Sequence, residues 1–151
     1  RILHNIGIPS GSKVNKNYFV PSWILENKEC FRTFVRRYFT CEGTVSIEGR
    51  NSFIEVALAK TKTNIQNGIQ VLNQIKFGLA EYFEINSMNP FVSGTNERKD
   101  GSKSYNIKLR IKKLQDLKSF YNKVGFEGQK KQDKLKKALK LKGQPIRDSN
   151  N

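Results

Sequence analysis

The sequence has one histidine, His4, and two cysteines, Cys30 and Cys41, in 151 residues. There is no Cys/His cluster of the kind that holds structural zinc. The two cysteines fall at opposite ends of one proposed helix, too far apart to bridge. That usage points to a reducing, intracellular setting. No apolar run approaches the roughly 20 residues that span a bilayer. No stretch has the pattern of a secretory signal. No amphipathic helix offers the exposed bulky apolar face that a membrane surface takes up. Acids are also scarce, at 13 against 28 lysines and arginines, for a net charge of +15 and a pI near 10.0. So basic a chain is suited to a polyanion, and with membranes disfavoured, nucleic acid is the expected partner. Methionine occurs once, as Met88, and the chain opens at Arg1. RILHNIGIPSG at the start reads as the end of a helix and a turn, so the expectation is a fragment or processed part of a longer chain. His4, away from any candidate acid or cysteine, is expected at the surface.

Hydrophobic residues make up 36% and aromatics 11%, enough at this length for one domain with a core. The most informative stretch is FRTFVRRYFTCEGTVSI, Phe31 to Ile47. Phe31, Phe34, Val35, Tyr38 and Phe39 recur at spacings of three and four and predict one apolar helix stripe. Gly43 is expected to stop the helix as a glycine past its end. Val45 and Ile47 then alternate with Thr44, Ser46 and Glu48, as in a half-buried strand. This leaves Glu42 at a helix C-terminus, where the partial negative charge favours cations over acids. A divalent cation on the carboxylate would resolve that conflict.

VRRYFTCEG, Val35 to Gly43, resembles the nine-residue motif of the LAGLIDADG homing endonucleases. The resemblance implies that Glu42 takes the motif's metal-binding acidic position, with Gly43 beside it, and that the metal is Mg²⁺. Arg37 stands where the family usually has glycine, and Thr40 where it often has aspartate. GIPSGSK and VPSWI, Gly7 to Lys13 and Val20 to Ile24, resemble the segment that precedes the second motif in two-motif members. They support a missing upstream half.

Along the chain, residues 1–25 read as an arm, punctuated by Gly7, Pro9 and Gly11 and anchored by Pro21 and Trp23. Residues 26–142 read as the domain and 143–151 as a polar tail. The motif helix is expected over Glu26–Cys41. A hairpin follows over Thr44–Arg50 and Phe53–Lys60, then Asn64 as an N-cap candidate and a helix over Ile65–Phe83. That helix carries Ile65, Ile69, Leu72, Ile75, Leu79 and Phe83 as its stripe. A second hairpin spans Asn89–Thr95 and Ser104–Ile111 with a long polar tip. Helices over Leu114–Val124 and Gln129–Leu141 close the chain. The order predicts an α+β fold, an antiparallel four-stranded sheet with helices on one face. It agrees with the αββαββα core that the resemblance implies.

The open sheet face is expected to meet DNA, because strand ribbons enter the roughly 12 Å major groove. Its outward residues are Ser46, Glu48, Arg50 and Glu55, with Asn106, Lys108 and Arg110 from the last strand. Arg50 or Arg110 could contact guanine in bidentate fashion. Lys60, the tip residues Arg98 and Lys99, and Lys130, Lys131 and Lys134 of the last helix are further phosphate candidates. Lys112 resembles an active-site lysine of several members, or is a solvent-exposed lysine among many. Lys62 resembles a polar position that orders water at the metal, or is a phosphate contact or plain surface. One carboxylate is not a metal site, so the resemblance implies a second half, by homodimerisation or from upstream. Val35, Arg37, Tyr38 and Cys41 are the expected interface. Helix pairs ordinarily sit 8–10 Å apart, and an arginine at the seam resists closer approach. Site-specific double-strand DNA cleavage is therefore one reading. DNA or RNA binding without cleavage, as in a degenerate member or an intron maturase, is the other, with RNA the weaker partner.

Overall fold

The computed structural model describes residues 12–144. The helix end and turn read in residues 1–11, His4 with them, and the tail beyond Gln144 lie outside the described residues. A short helix α1 (Ser22–Leu25) leads into the motif helix α2 (Lys28–Glu42). Asn27 starts α2 by accepting the Cys30 N–H at 2.9 Å, satisfying one of the donors that every helix start leaves open.

The expected single stripe of α2 divides into two faces. Phe31, Val35 and Phe39, four residues apart, are fully buried against the core. Phe34 and Tyr38 lie on the next row and are only partly covered. Val35, expected at an interface, is therefore a core residue: the spacing of four carries it inward with Phe31 and Phe39.

Gly43 ends α2 as expected, at the position just past the last helical residue. Its φ of −89° and ψ of 154° are extended, so no left-handed cap is formed. A Cβ there would lie 2.4 Å from the Phe39 carbonyl oxygen, and closeness is what requires glycine. Glu42 stays in the helix, and the chain passes directly into β1 (Gly43–Ser46).

The remaining elements are β2 (Phe53–Lys60), α3 (Ile65–Phe83), β3 (Phe91–Glu97), β4 (Lys103–Ile111), α4 (Leu114–Lys123) and α5 (Gln129–Lys142). The four strands form one antiparallel sheet in the order β1-β2-β4-β3. Ile54 faces Ile111 and Val56 faces Leu109 across β2 and β4, and all four are buried beneath the helices. The alternate positions point the other way: Glu55 opposite Arg110, Ala57 opposite Lys108, Ala59 opposite Asn106. The fold is α+β, with helices on one face of the sheet.

Asn64 precedes α3, but its side chain donates to Thr61 Oγ1 and caps nothing. The buried face of α3 centres on Gly68, Val71, Leu72, Ile75, Gly78 and Leu79; Ile65 and Ile69 are only partly buried. A Cβ on Gly78 would lie 2.3 Å from the Phe31 ring, so this glycine lets α2 pack closely onto α3. The arm is anchored by Val20 and Ile24, both buried. Trp23, the expected anchor, is 48% exposed.

Candidate active site

Glu42 ends α2 with its side chain exposed, and no ion pair to it forms among the described residues. Two concavities meet at this carboxylate. One, of about 320 Å³, is lined by Lys13, Tyr18 and Tyr38 around Glu42 and by Ala57, Ala59 and Asn106 of the outward sheet face. The other is a wider apolar groove of about 800 Å³ along α2, lined by Trp23, Cys30, Phe34, Arg37, Tyr38 and Cys41, with Lys13 and Glu42 at its end. Both cysteines are free thiols on this groove. Burial pushes the Tyr38 hydroxyl far up from its ordinary value, and the neighbouring Tyr18 and Glu42 add to it. Tyr18 is shifted upward by burial and then by Glu42. Both phenols stay protonated in the cavity that holds the carboxylate.

The conflict between an acid and a helix C-terminus is resolved within the chain. Lys131 of α5 donates its ammonium to the Thr40 and Gly43 carbonyls, each at 2.6 Å. It supplies the cation that the helix end favours. Lys131 is half-buried in this role, so the phosphate contact expected of it is a correction: the ammonium is taken up at the α2–β1 junction. Thr40, where the family often has aspartate, binds the neighbouring loop. Its Oγ1 donates to the Arg36 carbonyl at 2.7 Å and accepts the Glu127 N–H at 3.0 Å. Arg37 turns to Glu127, with Nη1 2.5 Å from Oε2, and lies at the groove's edge with its charge matched inside the chain.

The other lysines expected at the chemistry are dispersed. Lys112 follows Ile111, which pairs with Ile54 at the start of β2. Lys62 follows the far end of β2, beyond Lys60. At about 3.3 Å per residue, Ile54 and Lys60 are roughly 20 Å apart, so the two lysines lie towards opposite ends of the sheet. Lys112 stands near Lys142, whose pKa is lowered by burial and then by the Lys112 charge. In their place the structure brings Lys13 and Lys131 to the Glu42–Gly43 junction. Lys13 was legible only as the end of the GIPSGSK segment and as a charge, and its place beside Glu42 was not, because the arm reaches the site only through tertiary contacts.

Lys60 is a second correction. It is 1% exposed and cannot reach a DNA backbone, because strand alternation places it on the inward row with Ile54, Val56 and Leu58. On the outward face, Glu55 binds Lys108 at 2.8 Å and also Arg110. The Arg110 guanidinium lies between the rings of Phe53 and Phe91, 4.5 and 5.1 Å from their centroids. Burial alone would raise the Glu55 carboxyl, but hydrogen bonds from Lys108 and Arg110 hold it below its ordinary value. Arg50 binds the Gln144 carbonyl and its own carbonyl receives Lys142, so it serves the end of α5. Ser46 donates to Glu48 at 3.0 Å, and Arg98 reaches Asn15 of the arm. Asn106 lies in the Glu42 cavity, and Lys99, Lys130 and Lys134 are exposed.

Tested for a metal, the junction offers one unpaired carboxylate, Glu42, and one carbonyl, Gly43, already bonded to Lys131. No cluster of three His, Cys, Asp or Glu residues forms among the described residues. This donor set fits half of a Mg²⁺ site. Mg²⁺ is commonly held by one or two carboxylates together with waters and substrate phosphate. No helix of the described residues is long and apolar enough to cross a membrane.

A family model described as a LAGLIDADG-like domain matches residues 29–125. The chain is also similar to a stretch of the tRNA-splicing ligase RtcB of Methanocaldococcus jannaschii, at 30% identity over 134 residues. That match covers 85% of this chain and 13% of the ligase. No solved structure matches.

Proposed function

The chain belongs to the LAGLIDADG homing-endonuclease family, and from that premise we propose that it is half of a metal-dependent, site-specific double-strand DNA endonuclease. The single observation that carries this reading is Glu42. It is a carboxylate with no ion pair among the described residues, at the meeting point of a cation-bearing cavity and an apolar groove. The groove's occupant is a second LAGLIDADG half, from another copy or from elsewhere in a longer chain. Phe34, Tyr38 and Trp23 would be covered by it, and Arg37, already neutralised by Glu127, stays at the rim. An unmatched arginine in a desolvated seam would be costly, and the ion pair removes that obstacle.

Glu42 and the matching acid of the second half would hold Mg²⁺. When bound, the metal neutralises phosphate charge and supplies an activated water. The chain's own residues do the rest. Lys13, across the cavity from the sheet face, faces the reacting phosphate and stabilises charge that grows in the transition state. Tyr18 and Tyr38 remain protonated and donate hydrogen bonds. Lys131 fixes the Gly43 carbonyl and so the direction in which Glu42 leaves the helix. The outward strand residues, with Arg110 held in place by Glu55 and two phenylalanines, read base edges. Exposed lysines of α5 and the β3–β4 tip hold the backbone. The ligase reaction belongs to a protein of which this chain matches a small part, and is not proposed for it.

The test is incubation of supercoiled plasmid with the protein in Mg²⁺ or in EDTA, for wild type and Glu42→Gln. Nicked and linear DNA are expected from wild type in Mg²⁺ alone, while Glu42→Gln binds DNA equally well and leaves it supercoiled. Binding by both proteins with cutting by neither would sink cleavage by two copies of this chain and leave a half that binds DNA without cutting it.

A further inference from the structure

Lys60 ends β2 in the inward row, where an apolar side chain would fill the space without dehydrating a charge. Gly68 of α3 packs over this row: a Cβ there would lie 2.3 Å from Ile107 Cδ1, 2.8 Å from Leu58 Cδ1 and 3.0 Å from Lys60 Cγ. Its ammonium donates to the carbonyls of Lys13 at 2.9 Å and Lys16 at 2.5 Å. It also lies 4.3 Å from the centroid of the Tyr18 ring. Burial lowers its pKa. A core position has thus been given to a lysine whose two hydrogen bonds both go to one short piece of the arm.

That piece carries Lys13. Among the described residues the turn is also tied to the fold where the Thr61 N–H donates to the Val14 carbonyl at 3.1 Å and where Arg98 reaches Asn15. Further along, Asn67 pairs with the Tyr18 backbone. Lys60 bonds the turn at both ends, through the Lys13 and Lys16 carbonyls. We propose that Lys60 is a positioning residue, tying the 13–16 turn to the sheet so that the Lys13 side chain stands in the Glu42 cavity. The inference rests on the cleavage reading of that cavity. A valine or isoleucine at position 60 would leave both carbonyls ungripped. Lys13 would then sample many positions, and a displacement of about an ångström at a reacting centre can reduce rate by about a hundredfold.

The test uses Lys60→Met, which keeps the apolar stem and removes the donors, together with Lys13→Ala and the double variant. Lys60→Gln, which keeps a shorter, uncharged amide donor group, is the second variant should Lys60→Met fold poorly. Two readouts are taken. Limited trypsin digestion followed by mass spectrometry gives the cleavage rate after Lys13 and Lys16 in the folded protein. Single-turnover plasmid cleavage gives rate and apparent DNA affinity separately. Lys60→Met should be cut after Lys13 and Lys16 at least about tenfold faster, with an intermediate value for Lys60→Gln. Its cleavage rate should fall about tenfold at unchanged DNA affinity. In the Lys13→Ala background it should lower the rate no further, as expected when one residue acts through the other. Unchanged digestion at both bonds overturns the clamp, whether or not the protein cuts DNA. Rate losses that multiply in the double variant overturn its action through Lys13. A wild type that does not cut overturns the catalytic part together with the function it rests on, and the digestion rates tell that failure from failure of the clamp.

Discussion

Lys131→Met removes the cation at the α2–β1 junction while keeping most of the side chain's bulk. Two hydrogen bonds from a charged donor are lost, each contributing about 1.5–3 kcal/mol. Against this stand about 1.5–2 kcal/mol of side-chain freedom that Lys131 gives up when it is held, and the dehydration of a half-buried ammonium. The net loss should be about 2 kcal/mol, or a fall in Tm of roughly 4–8 °C for a chain of this size. Urea unfolding followed by circular dichroism measures it as a lower midpoint at unchanged slope. Because the two carbonyls sit within the fold, the loss should persist in 0.5 M NaCl, where the Debye length is only about 4 Å and exposed pairs are screened. Cleavage measured well below the midpoint should fall more than DNA binding does, since Glu42 leaves the helix at this junction. A stability change within about 0.5 kcal/mol of wild type, or one abolished by salt, would refute the assignment of Lys131 as the cation of the helix end.

Gly78→Ala drives a methyl into the buried Phe31 ring at 2.3 Å. Overpacking costs about 1–3 kcal/mol against roughly 1 kcal/mol of helix propensity regained, so a modest net loss in urea unfolding is expected, and a gain would mean the ring yields. Glu55 has a folded pKa below the ordinary 4.5, so its contribution is present above that value and lost as pH falls through the lower folded one. Wild type should therefore lose more stability than Glu55→Gln on acidification through that window, and parallel pH curves would exclude the ion-pair cluster as the cause. DNA binding should weaken steeply with salt, by about 0.9 in log K per log unit of salt for each phosphate contacted; a flat dependence would argue against a backbone-dominated interface. Arg37→Gly should tighten self-association in sedimentation equilibrium, because it removes bulk at the groove edge, and unchanged association would place position 37 outside the seam.

Much of the architecture was legible because it depends on local periodicity. The extent of α3 was read from spacings of three and four, and the outward row of β4 from alternation. The glycine at 43 was legible too, but its reason was not: a stop signal is local, whereas the approach of the Phe39 carbonyl depends on how helix and strand join. The apolar residues of α2 could be counted but not divided between faces. Only packing against α3 shows that Phe31, Val35 and Phe39 face inward while Phe34 and Tyr38 remain for something else. Lysines were the least legible, because twenty-eight basic residues carry the same local signal and only three-dimensional neighbours separate their roles. Lys60 is buried by strand parity and held by the arm, Lys131 is drawn to a helix end, and Lys13 is delivered to Glu42 by a segment distant in sequence. By itself the sequence determined the element order, the basic character and the motif's acid, since each follows from residue type and short-range spacing. The tertiary structure alone decided which cations surround that acid, because burial, helix-end charge and chain crossing act between residues that spacing does not relate.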